Sequence, residues 1–201
     1  RRVLFRSNLS QEERQDFCHL IQHNSDLLLT LVGDILSAAE LESNRYTMKI
    51  APHSCNKLCR EAITTVEHRK PEGVKLYYTS EVDDCYELIT DGQRVCQILI
   101  NFLTNAEKHT TQGEIRLHCS LTENPGYVTF SVTDTGTGIP PEYSETIFER
   151  FEKADSFGQG TGLGLNICRL IAERLKGKVL LDKEYKEGAR FVFVLPVKKS
   201  I

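Results

Sequence analysis

Four stretches of this sequence have residue types and spacings that could do chemistry. In the first, residues 131–134 (Ser-Val-Thr-Asp) alternate like a strand and then break into Thr-Gly-Thr-Gly-Ile-Pro-Pro. Loops of this kind often hold nucleotides, and the question is which end of the nucleotide this one would hold. A Walker loop needs Gly-x4-Gly-Lys-Ser/Thr, and nothing here supplies that lysine. A dinucleotide fingerprint needs a third glycine where Pro141 stands. What remains is Asp134, a charged acceptor suited to an exocyclic amine such as that of adenine. Gly136 and Gly138 would leave bare backbone for a flat ring. Taken alone, Asp-x-Gly-x-Gly is as often a plain turn.

The second stretch is Gly160-Thr161-Gly162-Leu163-Gly164-Leu165, immediately before a helical pattern. Glycine-rich entry into a helix presents free amides and the positive dipole end to an anion such as a phosphate. Close helix–sheet packing would explain Gly164 but hardly all three glycines. In the third, Asn101, Asn105 and Lys108 fall at i, i+4 and i+7 on one helical face, with Ile98, Leu99, Phe102 and Leu103 on the other. An Asn amide oxygen can ligate Mg²⁺, and a lysine meets phosphate as a point charge. The bland alternative is a solvated polar face. Fourth, Phe148-Glu149-Arg150-Phe151-Glu152-Lys153 lies between the glycine loops. Phe148 and Phe151 could anchor a short lid helix while Arg150 or Lys153 swings over phosphates; an ordinary amphipathic turn is the alternative.

These residues need elements to position them. Ser10-Gln11-Glu12-Glu13 is a capping box, and apolar residues from Phe17 to Ala38 then recur at three- and four-residue steps. One long helix over about 10–43 follows, whose apolar stripe calls for a partner helix. A short strand is expected at residues 46–50, a helix capped by Ser54 over about 55–70, and a strand through Val74, Leu76 and Tyr78. Asp91 opens a helix running to about Thr110. Strands near 114–121 and 127–134 turn at Asn124-Pro125-Gly126. A polar segment spans about 140–160, a helix covers about 163–176 and stops at Gly177, and residues 179–181 and 189–195 form a last hairpin. This order gives an α+β chain: a two-layer α/β sandwich from residue 46, preceded by one long helix.

The 201 residues carry a net charge of only −3, and no face-long run of Lys or Arg points to nucleic acid. The longest apolar cluster, at residues 27–32, falls far short of the roughly 18 residues a membrane span needs. No signal-peptide pattern is present, so no membrane contact is expected within this chain. Seven scattered cysteines without a Cys-x-x-Cys pair fit reduced thiols in a cytoplasmic compartment. Cys55 and Cys59 near His53, or His19 with His23, lack a four-ligand zinc set and read better as core or surface residues. Residues 1–7 belong to no pattern.

The order of the four stretches carries more than any one of them. The chain resembles the ATP-binding catalytic region of bacterial sensor histidine kinases, of the Bergerat fold shared with gyrase, heat-shock chaperone and mismatch-repair ATPases. Residues 101–110 (NFLTNAEKHT) look like the N box, residues 134–140 (DTGTGIP) the first glycine box, residues 148–151 (FERF) the F box and residues 160–165 (GTGLGL) the second glycine box. Residues 188–191 (GARF) are similar to the looser last glycine motif. The resemblance covers residues from about 10 to 197, because the first helix looks like the second helix of the family's dimerisation hairpin. It implies a division into residues 1–45, part of that hairpin, and residues 46–201, the catalytic domain with a mixed sheet and helices on one face.

The resemblance further implies ATP and Mg²⁺ as cofactors and transfer of the γ-phosphoryl group to a histidine, for relay to a response-regulator aspartate. Asp134 would hold the adenine amino group with Gly136, Gly138 and Ile139 beside the ring, and Asn105 would ligate Mg²⁺. Asn101, Asn105 and Lys108 would carry the chemistry. Lys108, Arg150 and Lys153 would approach the phosphates, and Gly160, Thr161, Gly162, Leu163, Gly164 and Leu165 would receive them under the lid. The chain departs from the family at His109, where an aromatic residue is usual, and at Glu107, where an apolar residue is usual. The family's acceptor motif, a histidine followed by an acidic residue and a proline, is absent, and His19 and His23 do not match it. The expectation is a kinase core whose acceptor histidine lies on the hairpin helix absent from this chain, and which forms a homodimer through helix 10–43. Two other readings stay open: a nucleotide-binding interaction module, and an ATP-driven machine like the chaperone relatives. The machine reading is weakened because Asn101 stands where those relatives carry a water-activating glutamate.

Overall fold

The computed structural model describes residues 10–43, 46–152 and 161–197, the side chain of His23 excepted. Helix α1 (Gln11–Glu42) opens on the expected capping box: the Ser10 hydroxyl accepts from the Glu13 amide at 3.1 Å, and the Glu13 carboxylate accepts from the Ser10 amide at 2.7 Å. There follow β1 (Ala51–Ser54), α2 (Cys55–Val66), β2 (Val74–Ser80), β3 (Glu87–Thr90), α3 (Gly92–His109), β4 (Gly113–Ser120) and β5 (Tyr127–Asp134). The chain closes with α4 (Gly164–Arg174), β6 (Lys178–Leu181) and β7 (Arg190–Pro196).

Five strands form a mixed sheet in the order β2-β4-β5-β7-β6, with only β2 and β4 parallel. Alternation decides its faces. Ile115, Leu117, Cys119, Val128, Phe130, Val132, Phe191 and Phe193 point into one core with α2, α3 and α4. Phe102 from α3 stacks on Phe191 at 5.2 Å, which fixes helix layer to sheet, and Phe130 of β5 stacks on Phe193 of β7 at 5.9 Å within the sheet. The chain is thus the two-layer α+β sandwich expected, with β5, the strand ending in Asp134, at the centre of the sheet.

Three local expectations need correction. Residues 46–50 form no strand. The pairing lies at β1, antiparallel to β3, a four-residue strand too short to stand out from the acidic turn before it. The Lys49 amide donates to the Asp91 carboxylate at 2.8 Å instead of to a strand, and Arg94 lies over the Tyr46 ring at 4.1 Å. Helix α2 stops at Val66 and tightens into a 3₁₀ turn over Glu67–Arg69, ahead of Pro71. No lid helix forms among the described residues of the 140–160 segment, only a 3₁₀ turn at Pro141–Tyr143 followed by further turns.

Helix α1 has two regimes. Residues 10–22 and 24–26 are exposed, whereas Leu27, Leu31, Asp34, Ala38 and Leu41 form a buried or half-buried row packed against α4. The opposite row, including Leu28, Val32, Ile35 and Leu36, stays in solvent. All seven cysteines are free thiols, with Cys55 and Cys59 in the core. Among the described residues no His/Cys/Asp/Glu cluster could hold a metal ion, and no helix is long and apolar enough to cross a membrane.

Candidate nucleotide site

A cavity of about 450 Å³ opens between α3, the end of β5 and the start of α4. Most of the residues singled out from sequence line it: Asn101, Asn105, Lys108 and His109 from α3; Asp134, Gly138 and Ile139 after β5; and Thr161, Gly162, Gly164 and Leu165 at α4. Gly136, Arg150 and Leu163 stand outside its wall, while Lys153 and Gly160 fall outside the described residues.

One end is built around Asp134, which is only 2% exposed. Its Oδ1 accepts from the amides of Gly136 at 2.9 Å and Ala189 at 3.2 Å, and none of the described residues donates to Oδ2. Burial pushes this carboxyl above its ordinary value, against the pull of the two amides and the charge of His109. The glycines here serve close backbone packing. A Cβ on Gly136 would come 2.3 Å from the His109 carbonyl oxygen, and one on Gly188 would come 2.1 Å from that of Asp134. Gly136 is therefore required by contact with the end of α3, where the sequence suggested a ring beside it. Gly138 lines the cavity with φ +70°, a conformation that favours glycine.

Along the wall, the two asparagines differ. The Asn101 amide group donates to the Gly164 carbonyl at 3.2 Å and lies 3.5 Å from the Cys168 sulfur, so it braces α3 on α4. The half-buried Asn105 side chain has no hydrogen bond to the described residues, and its amide is available to a ligand or cation. Glu107 faces away from the cavity, as its spacing requires, and is 9% exposed. Arg69, after α2, also lines the cavity. Sequence reading missed it because no periodicity marks it.

The opposite end centres on α4, whose N-cap residue Leu163 offers no side-chain cap. Its first amides are therefore open to an anion beside the cavity. Thr161 Oγ1 accepts from the Leu163 amide at 3.2 Å and donates to Asp34 of α1 at 2.7 Å. Leu27, Thr30 and Asp34 close this side of the cavity; the helical stripe of α1 signalled that it would pack but not on what. Of the paired phenylalanines only Phe148 anchors: it is buried edge-on to Phe191 at 6.2 Å, and its carbonyl accepts from Asn166 at 3.1 Å. Phe151 is 65% exposed with φ 62°, and its amide bonds the Gly162 carbonyl at 3.0 Å. Arg150 pairs with Glu42 at the end of α1, held from the cavity by that carboxylate.

A mixed sheet with three helices on one face, an aspartate ending its central strand and an asparagine-bearing helix opposite an uncapped helix start define an ATP-binding domain of the histidine-kinase kind. Residues 90–199 match the family described as histidine kinase-, DNA gyrase B-, and HSP90-like ATPase, and the chain belongs to that family. It is 31% identical over 96% of its length to hybrid signal transduction histidine kinase A of Dictyostelium discoideum, spanning 10% of that protein. It is 32% identical over 97% of its length to the autoinducer 2 sensor kinase/phosphatase LuxQ of Vibrio harveyi, spanning 24% of it. Among solved structures, full-length ShkA in complex with AMPPNP superposes with a TM-score of 0.80 at 31% identity, covering 96% of this chain and 41% of that one. The catalytic domain of histidine kinase ThkA gives a TM-score of 0.66 at 31% identity, covering 75% of this chain and 97% of that one.

Proposed function

We propose that the cavity binds Mg·ATP and that the chain is the catalytic part of a protein-histidine kinase. The transfer would take the γ-phosphoryl group to a histidine on a hairpin helix outside this chain, from which a response-regulator aspartate would receive it. The observation that carries this reading is the convergence of Asp134, the α3 stripe and the uncapped start of α4 on one cavity. Asp134 Oδ2, which takes no hydrogen bond from the described residues, accepts from the adenine amine. The amides of Gly164 and Leu165 face the phosphate tail together with Lys108. Asn105 fits a magnesium ligand because its side chain has no hydrogen bond to the described residues to give up. Bound Mg²⁺ would neutralise charge on the phosphates; the protein's share is positioning and electrostatic preorganisation.

Asn101 argues against an ATP-driven machine. An amide cannot serve as general base to water, and this one is already engaged with Gly164 and Cys168. The exposed apolar row of α1 supports the reading of residues 1–45 as half of a dimerisation hairpin joined to a catalytic domain at residues 46–201. A homodimer through this helix in the full-length protein and a cytoplasmic location follow from the same reading.

Titration with Mg·ATP by calorimetry, followed by addition of a separate fragment carrying an acceptor histidine, tests the proposal. Nucleotide uptake and an acid-labile phosphoprotein are expected. Uptake without any phosphoprotein would reduce the chain to a binding module, and absence of uptake would end the reading.

A further inference from the structure

The row that seats α1 on the domain runs 27, 31, 34, 38, 41, alternating steps of four and three. Such a row calls for apolar residues throughout, and Leu27, Leu31, Ala38 and Leu41 comply. Asp34 does not. Its carboxylate is half-buried, lines the cavity and accepts the Thr161 hydroxyl at 2.7 Å. Burial raises its carboxyl above the ordinary value, against the hydrogen bond from Thr161 and the charge of Lys108, and the uncapped first turn of α4 lies beside Thr161. Around this contact α1 is held by Arg150 on Glu42, by Arg174 donating to the Leu41 carbonyl, and by Arg94 donating to Ser37 at 3.3 Å.

We propose that Asp34 is a nucleotide-site residue contributed by α1, a protein carboxylate standing beside the place of the polyphosphate, so that seating of α1 and binding of a nucleoside triphosphate oppose each other. This rests on the cavity being the ATP site. The physical reason is charge. A triphosphate approaching the α4 amides meets a fixed carboxylate in a partly water-excluded wall, where like charges repel more strongly than in bulk water. Linkage makes the effect reciprocal: whatever factor the seated helix takes from ATP affinity, ATP takes from the seating equilibrium. Adenosine, which carries no phosphate, is indifferent to Asp34. The site therefore discriminates by tail charge while α1 is seated.

The test uses the whole chain, with D34N retaining the hydrogen bond from Thr161 and removing the charge. Calorimetry should show D34N binding Mg·ATP about tenfold tighter than wild type, close to 1.4 kcal/mol, with adenosine affinity the same in both. Hydrogen exchange over residues 27–42 should rise on adding Mg·ATP to wild type and rise less in D34N. E42Q, which loosens α1 away from the cavity, should tighten Mg·ATP in the same direction by a smaller factor. Unchanged Mg·ATP affinity in D34N overturns the proposal. Weaker affinity also overturns it, showing that the carboxylate helps hold the cation. If no variant takes up adenosine or Mg·ATP, the nucleotide reading itself fails; if adenosine binds normally and only the D34N effect is missing, the fault lies with Asp34 alone.

Discussion

At one end of the cavity Asp134 is gripped by the amides of Gly136 and Ala189, all within the sheet and its turns. At the other, Thr161 is gripped by a carboxylate 127 residues away, on a helix that packs mainly along one row. The Asp134 end, where the proposed reading puts the base, is therefore preorganised by a near neighbour in sequence and by backbone contacts, and its groups cannot shift without disturbing the sheet. The α4 end, where the same proposal puts the phosphates, is assembled from three segments: the start of α4, the turn around Phe148, and α1. Recognition of a flat base needs fixed geometry, whereas a polyphosphate that must be received and released needs parts that can separate. Rigidity and adjustability are divided along the length of one site.

Glycine substitutions offer the sharpest contrast. Gly188→Ala drives a methyl to within 2.1 Å of the Asp134 carbonyl oxygen, backbone against backbone. It should destabilise by about 3 kcal/mol, the upper range for overpacking. Gly164→Ala meets Asn101 at an ordinary 3.7 Å and starts a helix, so stability should hold or rise by about 0.5–1 kcal/mol. Its effect should appear instead in weaker Mg·ATP binding, because the methyl enters the cavity wall. Chemical denaturation of both variants is the measurement, and equal losses of stability would dissolve the distinction between the ends.

Next in size is Asp134→Asn. A charge-assisted hydrogen bond is worth about 1.5–3 kcal/mol, so affinity for ATP and for adenosine should fall together by roughly 10–100-fold. A loss confined to ATP would move Asp134 to the wrong end. The pH dependence follows from the same residue. Its pKa is raised by burial, so the charged acceptor is lost earlier on acidification than for an ordinary aspartate. Adenosine affinity should decline as pH falls through that raised range in wild type, and the decline should be absent in Asp134→Asn. The corresponding stability effect has the opposite sense: ionising a carboxyl whose folded value is raised costs stability, so that contribution diminishes as pH rises through the range.

What local contacts determine was legible in the sequence, and what tertiary packing assembles was not. Ser10, Ser54 and Asp91 cap helices through contacts three residues away, and the alternation of β4 and β5 is local. The stripe of Asn101, Asn105 and Lys108 reads off helical geometry alone. Asp34 and Arg69 lie at the cavity only through tertiary packing, and neither belongs to a spaced motif. The two phenylalanines looked equivalent at three-residue spacing, but without a lid helix among the described turns that spacing does not bring both to one face, and Phe151 faces solvent. Four-residue strands such as β3 carry too few alternations to be told from a turn. Asn101 and Asn105 share a face, and only the nearby carbonyl of Gly164 separates a bracing amide from an available one.

The smallest effect belongs to the wall joining the two ends. Glu107 is 9% exposed, and among the described residues its Oε1 finds no hydrogen-bond partner. Burial pushes its carboxyl above the ordinary 4.5, against the charges of Arg69 and Lys108. Glu107→Leu should raise stability by about 1 kcal/mol at neutral pH, since removing a poorly satisfied buried polar group spares its desolvation. The advantage should depend on pH with a definite sign. Below the ordinary value Glu107 is neutral in both folded and unfolded chains. As pH rises through the raised folded value, ionisation penalises only the wild-type fold, so the gap between variant and wild type widens and then levels. Because the carboxylate acts on Arg69 and Lys108 from behind the wall, an unchanged Mg·ATP affinity in Glu107→Leu would leave the wall passive. A tighter affinity would instead show that Glu107 had been drawing those cations away from the tail, and that the phosphate end is tuned from outside the cavity as well as by α1.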